Sequence, residues 1–505
     1  MEGLSHLGTA LAGLLGPWQI AYALGATLAG IVIGLLPGLS ATLGVALFTT
    51  LTVKMAPTDA ILVLVCVYVG AIYGGSRTAI LLNIPGTAAN AAACLDGNAL
   101  ARQGLAGRAM GIATTGSVAG SLFGVVCLAM FTPLLAETAL KFGAFEFFWL
   151  GMVGVMMSGT LTGANPVKGW LMGLLGIFTA TIGLDPIHAH ARFTFGENAL
   201  SGGIGLIPAL VGAFGFAEIL TVMGQPRLQA VVSTVGSVLP KIADLIRYWR
   251  TILRSGLIGV FIGVLPGVGE DMAAWSSYAA AKRASREKEQ FGKGSVDGLI
   301  AAETGDNAAI PGALIPALAL GIPGSAPAAV LMAAMIIHGA QPGPMLMVNS
   351  PQYVYDIVGI TFVATLAILI FGLILVRPIL WVLRVPREVI MPIVFVLCVL
   401  GAYSITQRLF DVWVMLGVGV LCFLLRRRGF PVAPFVLGLV LGDIIDKSLR
   451  RGLVLSDGSL LPFFTRPISA VLAALVAVML LAQLPVVQRW WASRARTGNT
   501  PATTT

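Results

Sequence analysis

Two short strings carry residue types that could hold an anion without any covalent chemistry. In Tyr73-Gly-Gly-Ser-Arg-Thr-Ala-Ile-Leu-Leu-Asn-Ile-Pro-Gly-Thr-Ala-Ala-Asn90 an apolar run is interrupted by Ile84-Pro85-Gly86. Gly321-Ile-Pro323-Gly324-Ser325-Ala repeats the interruption 238 residues later (323 − 85). Proline removes a backbone donor and glycine admits angles that other residues resist, so each string ends one helix and lets another start. A restarted helix presents free N–H groups and a positive dipole end, which makes the chain after Gly86 and Gly324 a seat for a carboxylate. Thr87 and Ser325 fall at N-cap positions and add hydroxyls, while Asn83 and Asn90 add amides. Arg77, about two turns before the first break, can pair with a second carboxylate, and Ser76 stands beside it.

A second repeated pattern suits a cation. Gly30-Ile-Val-Ile-Gly34-Leu-Leu-Pro37-Gly38 returns as Gly259-Val-Phe-Ile-Gly263-Val-Leu-Pro266-Gly267, at an offset of 229 (266 − 37). Carbonyl ends released at Gly38 and Gly267, with the hydroxyls of Ser40 and Thr42, are oxygen ligands for an ion such as sodium. Thr42 aligns with Asp271, and Glu270 lies next to it. Glu303, Asp306 and Asp356 are further acidic residues near apolar segments, where ionisable groups are proton or cation sites by default. The bland alternative for each is a solvated place at a span end. One Pro-Gly in a span is usually a packing kink, but four at matched positions favour binding. Gly30, Gly34, Gly259 and Gly263 read most simply as helix-contact faces. His188, His190 and His338 fit external loops without chemistry, and Glu218 and Asp446 fit an interface. The five cysteines stand singly and read as core thiols. No residues are assigned to catalysis, to a metal or to an organic cofactor; the coupling ion is Na+ or H+.

The elements that must position these residues lie in a membrane. The chain has 505 residues, is 57% hydrophobic and only 10% charged, with mean hydropathy +0.92 and 62 glycines. A soluble domain carries about 25% charged residues. The net charge of +9 falls in short clusters between apolar runs, which fits membrane orientation and lipid contact rather than nucleic acid. The first residues lack the basic start of a secretory signal, so the spans themselves are expected to direct insertion.

In order, apolar runs at 18–36 and 39–53 flank Pro37-Gly38 and read as a re-entrant hairpin or two spans. One crossing at 58–103 is broken at residues 84–86, and spans follow at 108–134, 144–163, 168–184 and 203–223. A basic, aromatic-flanked segment at 227–254 reads as a cytoplasmic amphipathic connector. The second half offers the hairpin at Pro266-Gly267, the break at Pro323-Gly324, and spans at 353–376, 389–405, 409–425 and 432–445. A last run at 468–487 has no counterpart. The expected fold is all-α and polytopic, with two inverted-topology repeats, each holding a Pro-Gly re-entrant hairpin and a Pro-Gly broken helix. Residues 1–223 form the first repeat, 224–255 the connector, 256–445 the second repeat, and 446–505 an extra span with a basic cytoplasmic tail. Inversion follows from parity, since an even hairpin plus five single crossings separate the copies. The basic clusters at 227–254, 282–293, 377–387 and 426–428 then share the cytoplasmic side, leaving the N-terminus periplasmic and the C-terminus cytoplasmic. Lys447, Arg450 and Arg451 disagree, landing outside if 432–445 spans.

These strings together resemble the large membrane subunit of the tripartite tricarboxylate transporter family. The likeness runs from Gly34-Leu-Leu-Pro-Gly-Leu through Gly263-Val-Leu-Pro-Gly-Val-Gly-Glu-Asp271, Asn307-Ala-Ala-Ile-Pro-Gly312 and Leu320-Gly-Ile-Pro-Gly-Ser325 to Leu449-Arg-Arg-Gly, Leu455-Ser-Asp-Gly and Thr465-Arg-Pro. The resemblance implies ion-driven uptake of a di- or tricarboxylate across the bacterial inner membrane. A periplasmic solute-binding protein would deliver the substrate, and a small multi-span membrane subunit would complete the permease. Where this chain reads Leu441-Gly-Asp-Ile-Ile-Asp446 the family usually has glutamate, a mild departure. Two other classes compete: an anion channel, because broken helices also build filters, and an intramembrane aspartyl protease, because Tyr355-Asp356 and Gly442-Asp443 imitate paired aspartates. The protease match lacks a glycine at Val440.

Overall fold

A computed structural model describes residues 2–36, 38–161, 165–185, 189–224, 242–374, 378 and 385–482, which form an all-α membrane protein with one two-stranded ribbon. The helices are α1 (Glu2–Leu14), α2 (Pro17–Leu35), α3 (Ala41–Thr52), α4 (Pro57–Leu82), α5 (Ala106–Ala139), α6 (Ala144–Leu161) and α7 (Pro166–Ala180). A ribbon of β1 (Gly183–Leu184) and β2 (Ala191–Arg192) follows, then α8 (Leu206–Met223). Next come α9 (Trp249–Val264), α10 (Gly269–Ala284), α11 (Val296–Leu320), α12 (Ala326–Ile337) and α13 (Pro351–Ile374). The last are α14 (Arg387–Ser404), α15 (Leu409–Arg427), α16 (Ala433–Leu455) and α17 (Pro467–Ala482). Among the described residues six helices are long and apolar enough to cross a membrane, namely α2, α4, α5 with the turn before it, α8, α13 and α15.

Helices α4 and α11 form the centre, each buried along nearly its whole length. Proline stands at the start of α4, where its missing N–H would have had no partner. Ser295 caps α11 by accepting a hydrogen bond from the Gly298 N–H at 3.1 Å. Both end on a left-handed residue, Asn83 with φ 57° and Gly321 with φ 72°, at the 238-residue offset (321 − 83). They run antiparallel: Ser76 bonds to Glu303, Ile80 and Leu299 both meet Gly97, and Tyr68 reaches Ser325 beyond the end of α11. Helix α2 packs along α4, and α9 packs along α11. The glycines explain the closeness. A Cβ on Gly34 would lie 2.0 Å from the Ala71 carbonyl, and one on Gly263 would lie 2.6 Å from that of Ala309, so only glycine lets these backbones approach. Helix α5 covers α11 and α13 covers α5 and α4, while α6 and α7 pack on α16.

Several boundaries differ from the sequence reading. Trp249 to Arg254, expected in the connector, form the first turns of α9; residues 225–241, with Arg227 and Lys241, lie outside the described residues. Pro37, His188, Arg377 and the C-terminal tail from 483 lie outside them too. Helix α16 continues through residue 445 to Leu455 because its polar end is paired: Arg450 bonds to Asp446 at 3.0 Å and Asp185 at 2.6 Å, and Arg192 bonds to Asp446 at 3.0 Å. Helix α7 stops at Ala180, and the chain reverses through the ribbon to bring Asp185 and Arg192 to that cluster. Glu218 pairs with Arg426. Glu146 holds Arg466 at 3.3 Å and accepts from Ser469 at 2.8 Å, which gives the Thr465-Arg-Pro string a packing role.

Candidate functional site

The break after α4 is a re-entry rather than an interruption of one crossing. At 26 residues α4 is roughly 39 Å long, already more than the ~30 Å of a hydrocarbon core. The chain then doubles back. The Ile84 N–H reaches the Thr78 carbonyl at 3.5 Å, the Gly86 N–H reaches that of Gly75 at 3.3 Å, and the Asn90 Nδ2 reaches that of Ile72 at 3.1 Å. It reverses there and climbs again until the Asn98 Nδ2 meets the Ile80 carbonyl at 3.0 Å. The turn after α11 repeats the descent, with the Ile322 N–H on Pro316 at 3.2 Å and the Gly324 N–H on Ala313 at 3.3 Å. A Cβ on Gly86 would lie 2.0 Å from the Gly34 carbonyl, and one on Gly324 would lie 2.0 Å from that of Gly263. Each glycine is therefore required by the close pass over its neighbouring helix.

The two ascending segments are unequal. Ser325 caps α12, accepting from the Ala328 N–H at 3.4 Å, and α12 has 12 residues. After Gly86 there are only short turns, Ala88–Asn90, Ala91–Ala93 and the wide turns Cys94–Asn98 and Ala101–Leu105. That leaves little dipole at Thr87, whose hydroxyl makes no backbone cap and instead donates to Asn90 Oδ1 at 2.6 Å.

Around these segments lies a buried polar cluster. Asn90 Nδ2 is also within bonding distance of Ser76 Oγ at 3.0 Å and Asp306 Oδ2 at 3.2 Å. Ser76 and Ser117 each donate to Glu303 Oε2 at 2.8 Å. Asn307 donates to Asp306 Oδ1 at 2.6 Å. Tyr68 donates to Glu270 and meets Ser325 Oγ at 2.8 Å. Arg77 is fully buried, stacked 4.2 Å over the Tyr73 ring and bonded to the Met110 carbonyl at 2.8 Å, which leaves its Nε and Nη2 without hydrogen-bond partners among the described residues. A buried guanidinium with free donors is a strong attractor for a carboxylate.

The cluster has a pairwise logic. Tyr68 and Asp306 stand at the 238-residue offset (306 − 68). Tyr68, on α4, bonds into the re-entrant turn after α11, while Asp306, on α11, bonds into the one after α4.

Of the expected anion-site residues, Ser76, Thr87 and Asn90 come together directly. Ser325 joins through Tyr68, Arg77 follows Ser76 on the same buried helix, and Gly86 and Gly324 shape the turns. Asn83 is exposed and ends α4, away from the hydrogen-bonded set. Of the expected cation-site residues only Glu270 belongs to the cluster. Asp271 is exposed, and Ser40 caps α3 by accepting from Leu43 at 3.1 Å. Thr42 is buried on α3; Gly38 (φ 95°) abuts Val222, and Gly267 (φ 73°) abuts Ser158 and Leu437. Glu303 and Asp306 are buried inside α11. Asp356 instead accepts from Gln352, and Asp443 pairs with Lys447, so the two aspartates of the protease pattern have separate partners.

Sequence reading missed Tyr68, Ser117 and Asp96. Tyr68 stands eight residues before Ser76 on the same helix, a spacing that puts both on one face; Ser117, on α5, and Asp96 had no comparable signal. Asp96 is buried and accepts from Tyr278 at 2.9 Å and from the N–H groups of Gly292, Gly294 and Ser295 at 2.8, 2.9 and 2.8 Å, tying the first re-entrant segment to the start of α11.

Comparison with known proteins bears on what the cluster serves. A family model described as "Tripartite tricarboxylate transporter TctA family" matches residues 20–437. The chain is 35% identical over 492 residues to the "Uncharacterized 52.8 kDa protein in TAR-I ttuC' 3'region" of Agrobacterium vitis, covering 97% of this chain and 98% of that one. It is also 35% identical over 233 residues to the "Uncharacterized protein in TAR-II ttuC' 3'region" of the same organism, covering 46% of this chain and 96% of the relative. No solved structure matches.

Proposed function

Because the chain belongs to the tripartite tricarboxylate transporter TctA family, we propose that it is the substrate-translocating subunit of a three-part importer. It carries a citrate-like di- or tricarboxylate across the bacterial inner membrane by symport with a cation, Na+ or H+. A periplasmic solute-binding protein delivers the substrate, and a small multi-span subunit completes the permease.

One observation carries this reading: Tyr68 and Asp306, at matched positions, each bond into the other half's re-entrant turn. Such an exchange fits two inverted repeats, 1–223 and 256–445, meeting around one site, as secondary transporters are built. In this account Arg77 takes one carboxylate of the substrate, Thr87 and Ser76 line the first re-entrant turn, and Ser325 lines the second. The buried carboxyls of Glu270, Glu303 and Asp306 near Arg77 support coupling, because ionisable groups at membrane depth are where a proton or cation binds. The N-terminus lies in the periplasm and the C-terminus in the cytoplasm.

The test is uptake in proteoliposomes containing all three subunits and the binding protein's labelled carboxylate. Accumulation against the substrate gradient is expected only when a sodium or proton gradient is imposed. Purely downhill flux would replace the carrier with an anion channel.

A further inference from the structure

Helices α5 and α11 lie parallel and in register. A Cβ on Gly120 would sit 2.2 Å from the Thr304 carbonyl, and one on Gly124 would sit 2.8 Å from that of Ala308. Ser117 of α5 bonds to Glu303 of α11 at 2.8 Å. One helical turn on, Ser121 follows Ser117 and Asn307 follows Glu303 on the same helix faces. Three oxygen atoms on these helices are buried and have no hydrogen-bond partner among the described residues: Glu303 Oε1, Asn307 Oδ1 and Ser121 Oγ. Their side chains are 0%, 0% and 1% exposed. The Asn307 amide is oriented by its own bonds, since Nδ2 faces Asp306 Oδ1 at 2.6 Å and the Glu303 carbonyl at 3.1 Å. Its oxygen is therefore the free end.

Buried acceptors without donors are costly, and hydrocarbon supplies no water to relieve them. Asp306 accepts on both oxygens, from Asn90 and Asn307. Glu303 is a second buried carboxyl beside it, and no ion pair joins it to Arg77 among the described residues. Hard oxygen atoms, one of them from a carboxyl group, match a small hard cation, and sodium is one of the two coupling ions of the proposed symport. We propose that Glu303 Oε1, Asn307 Oδ1 and Ser121 Oγ form a sodium-binding site between α5 and α11. The site adjoins the Ser76–Asn90 pair through Glu303, so sodium held there lowers the electrostatic cost of bringing a carboxylate to Arg77. Its role in transport rests on the symport reading; its occupancy does not.

The experiment uses the purified full-length chain, without partners or carboxylate, and radioactive sodium in a scintillation proximity assay. Saturable binding is expected, competed by unlabelled sodium and not by choline. Ser121→Ala and Asn307→Ala should each weaken it by ~10-fold or more, the scale of losing a metal-site contact. Glu303→Gln should abolish it, with Asp443→Asn unchanged as a control. The elution profile of each variant reports its folding, and Ser121→Ala, which removes one atom, keeps the test open should Glu303→Gln misfold. The site is overturned if the unaltered chain binds no sodium, including the case where only proton release is detected. It is also overturned if Ser121→Ala and Asn307→Ala both bind as the unaltered chain does. Sodium binding without carboxylate accumulation in proteoliposomes would sink the symport reading and leave the site standing.

Discussion

Tyr68 contributes one hydroxyl that joins Glu270 on α10 to Ser325 on the turn after α11. Tyr68→Phe keeps the ring and removes only that link. It should lower the initial rate of carboxylate uptake at least tenfold while shifting stability by no more than the ~1–3 kcal/mol of an unmade buried hydrogen bond. Uptake rate and thermal midpoint in detergent separate the two effects; a large midpoint drop with normal uptake would make Tyr68 structural only. Asp96 is the contrasting case, because it gathers three backbone N–H groups and no element of the proposed site. Asp96→Ala leaves those donors unsatisfied and should cost about 3 kcal/mol or more, with Asp96→Asn milder because one oxygen remains. Equal midpoints for the two variants would contradict this. The sequence made Arg77, Thr87 and Asn90 visible because they flank a breaker. Tyr68 and Asp96 do not flank a breaker, and their partners lie 182 to 257 residues away.

At the scale of elements, the Pro-Gly strings announced themselves through proline and glycine chemistry, but their geometry did not. A break between two apolar runs is compatible with a kinked crossing or with a re-entry, and the choice depends on Gly34 and Gly263 leaving room for Gly86 and Gly324. Gly86→Ala and Gly324→Ala each drive a Cβ to 2.0 Å from a backbone carbonyl, which no side-chain movement relieves. Each should cost about 1–3 kcal/mol, the usual range for overpacking, and the two losses should be similar. Thermal midpoints of the two variants check this, and one variant as stable as the parent would break the equivalence of the two turns. The unequal helices beyond them were less legible, because Ala88 to Leu105 is rich in helix-forming alanine and leucine yet folds as short turns around Asn90 and Asp96.

For the whole molecule, composition and hydropathy made a polytopic all-α membrane protein plain, and the family assignment agrees with the joint strings. The antiparallel course of α4 and α11 sets each helix against the re-entrant turn that follows the other, an outcome that repeat offsets alone allow but do not require. The C-terminal third was hardest to read, because the charges of Lys447, Arg450 and Arg451 ended the expected span early. In three dimensions Arg450 is neutralised by Asp185 and Asp446, and α16 continues. The central claim is that both re-entrant turns close on one carboxylate. In a background with the five native cysteines replaced, Thr87→Cys and Ser325→Cys provide one thiol on each turn. The measurement is the rate at which a small thiol reagent labels each variant with and without saturating substrate and sodium. The account predicts that the tricarboxylate slows labelling at both positions together, and protection at one position alone, or at neither, would contradict it.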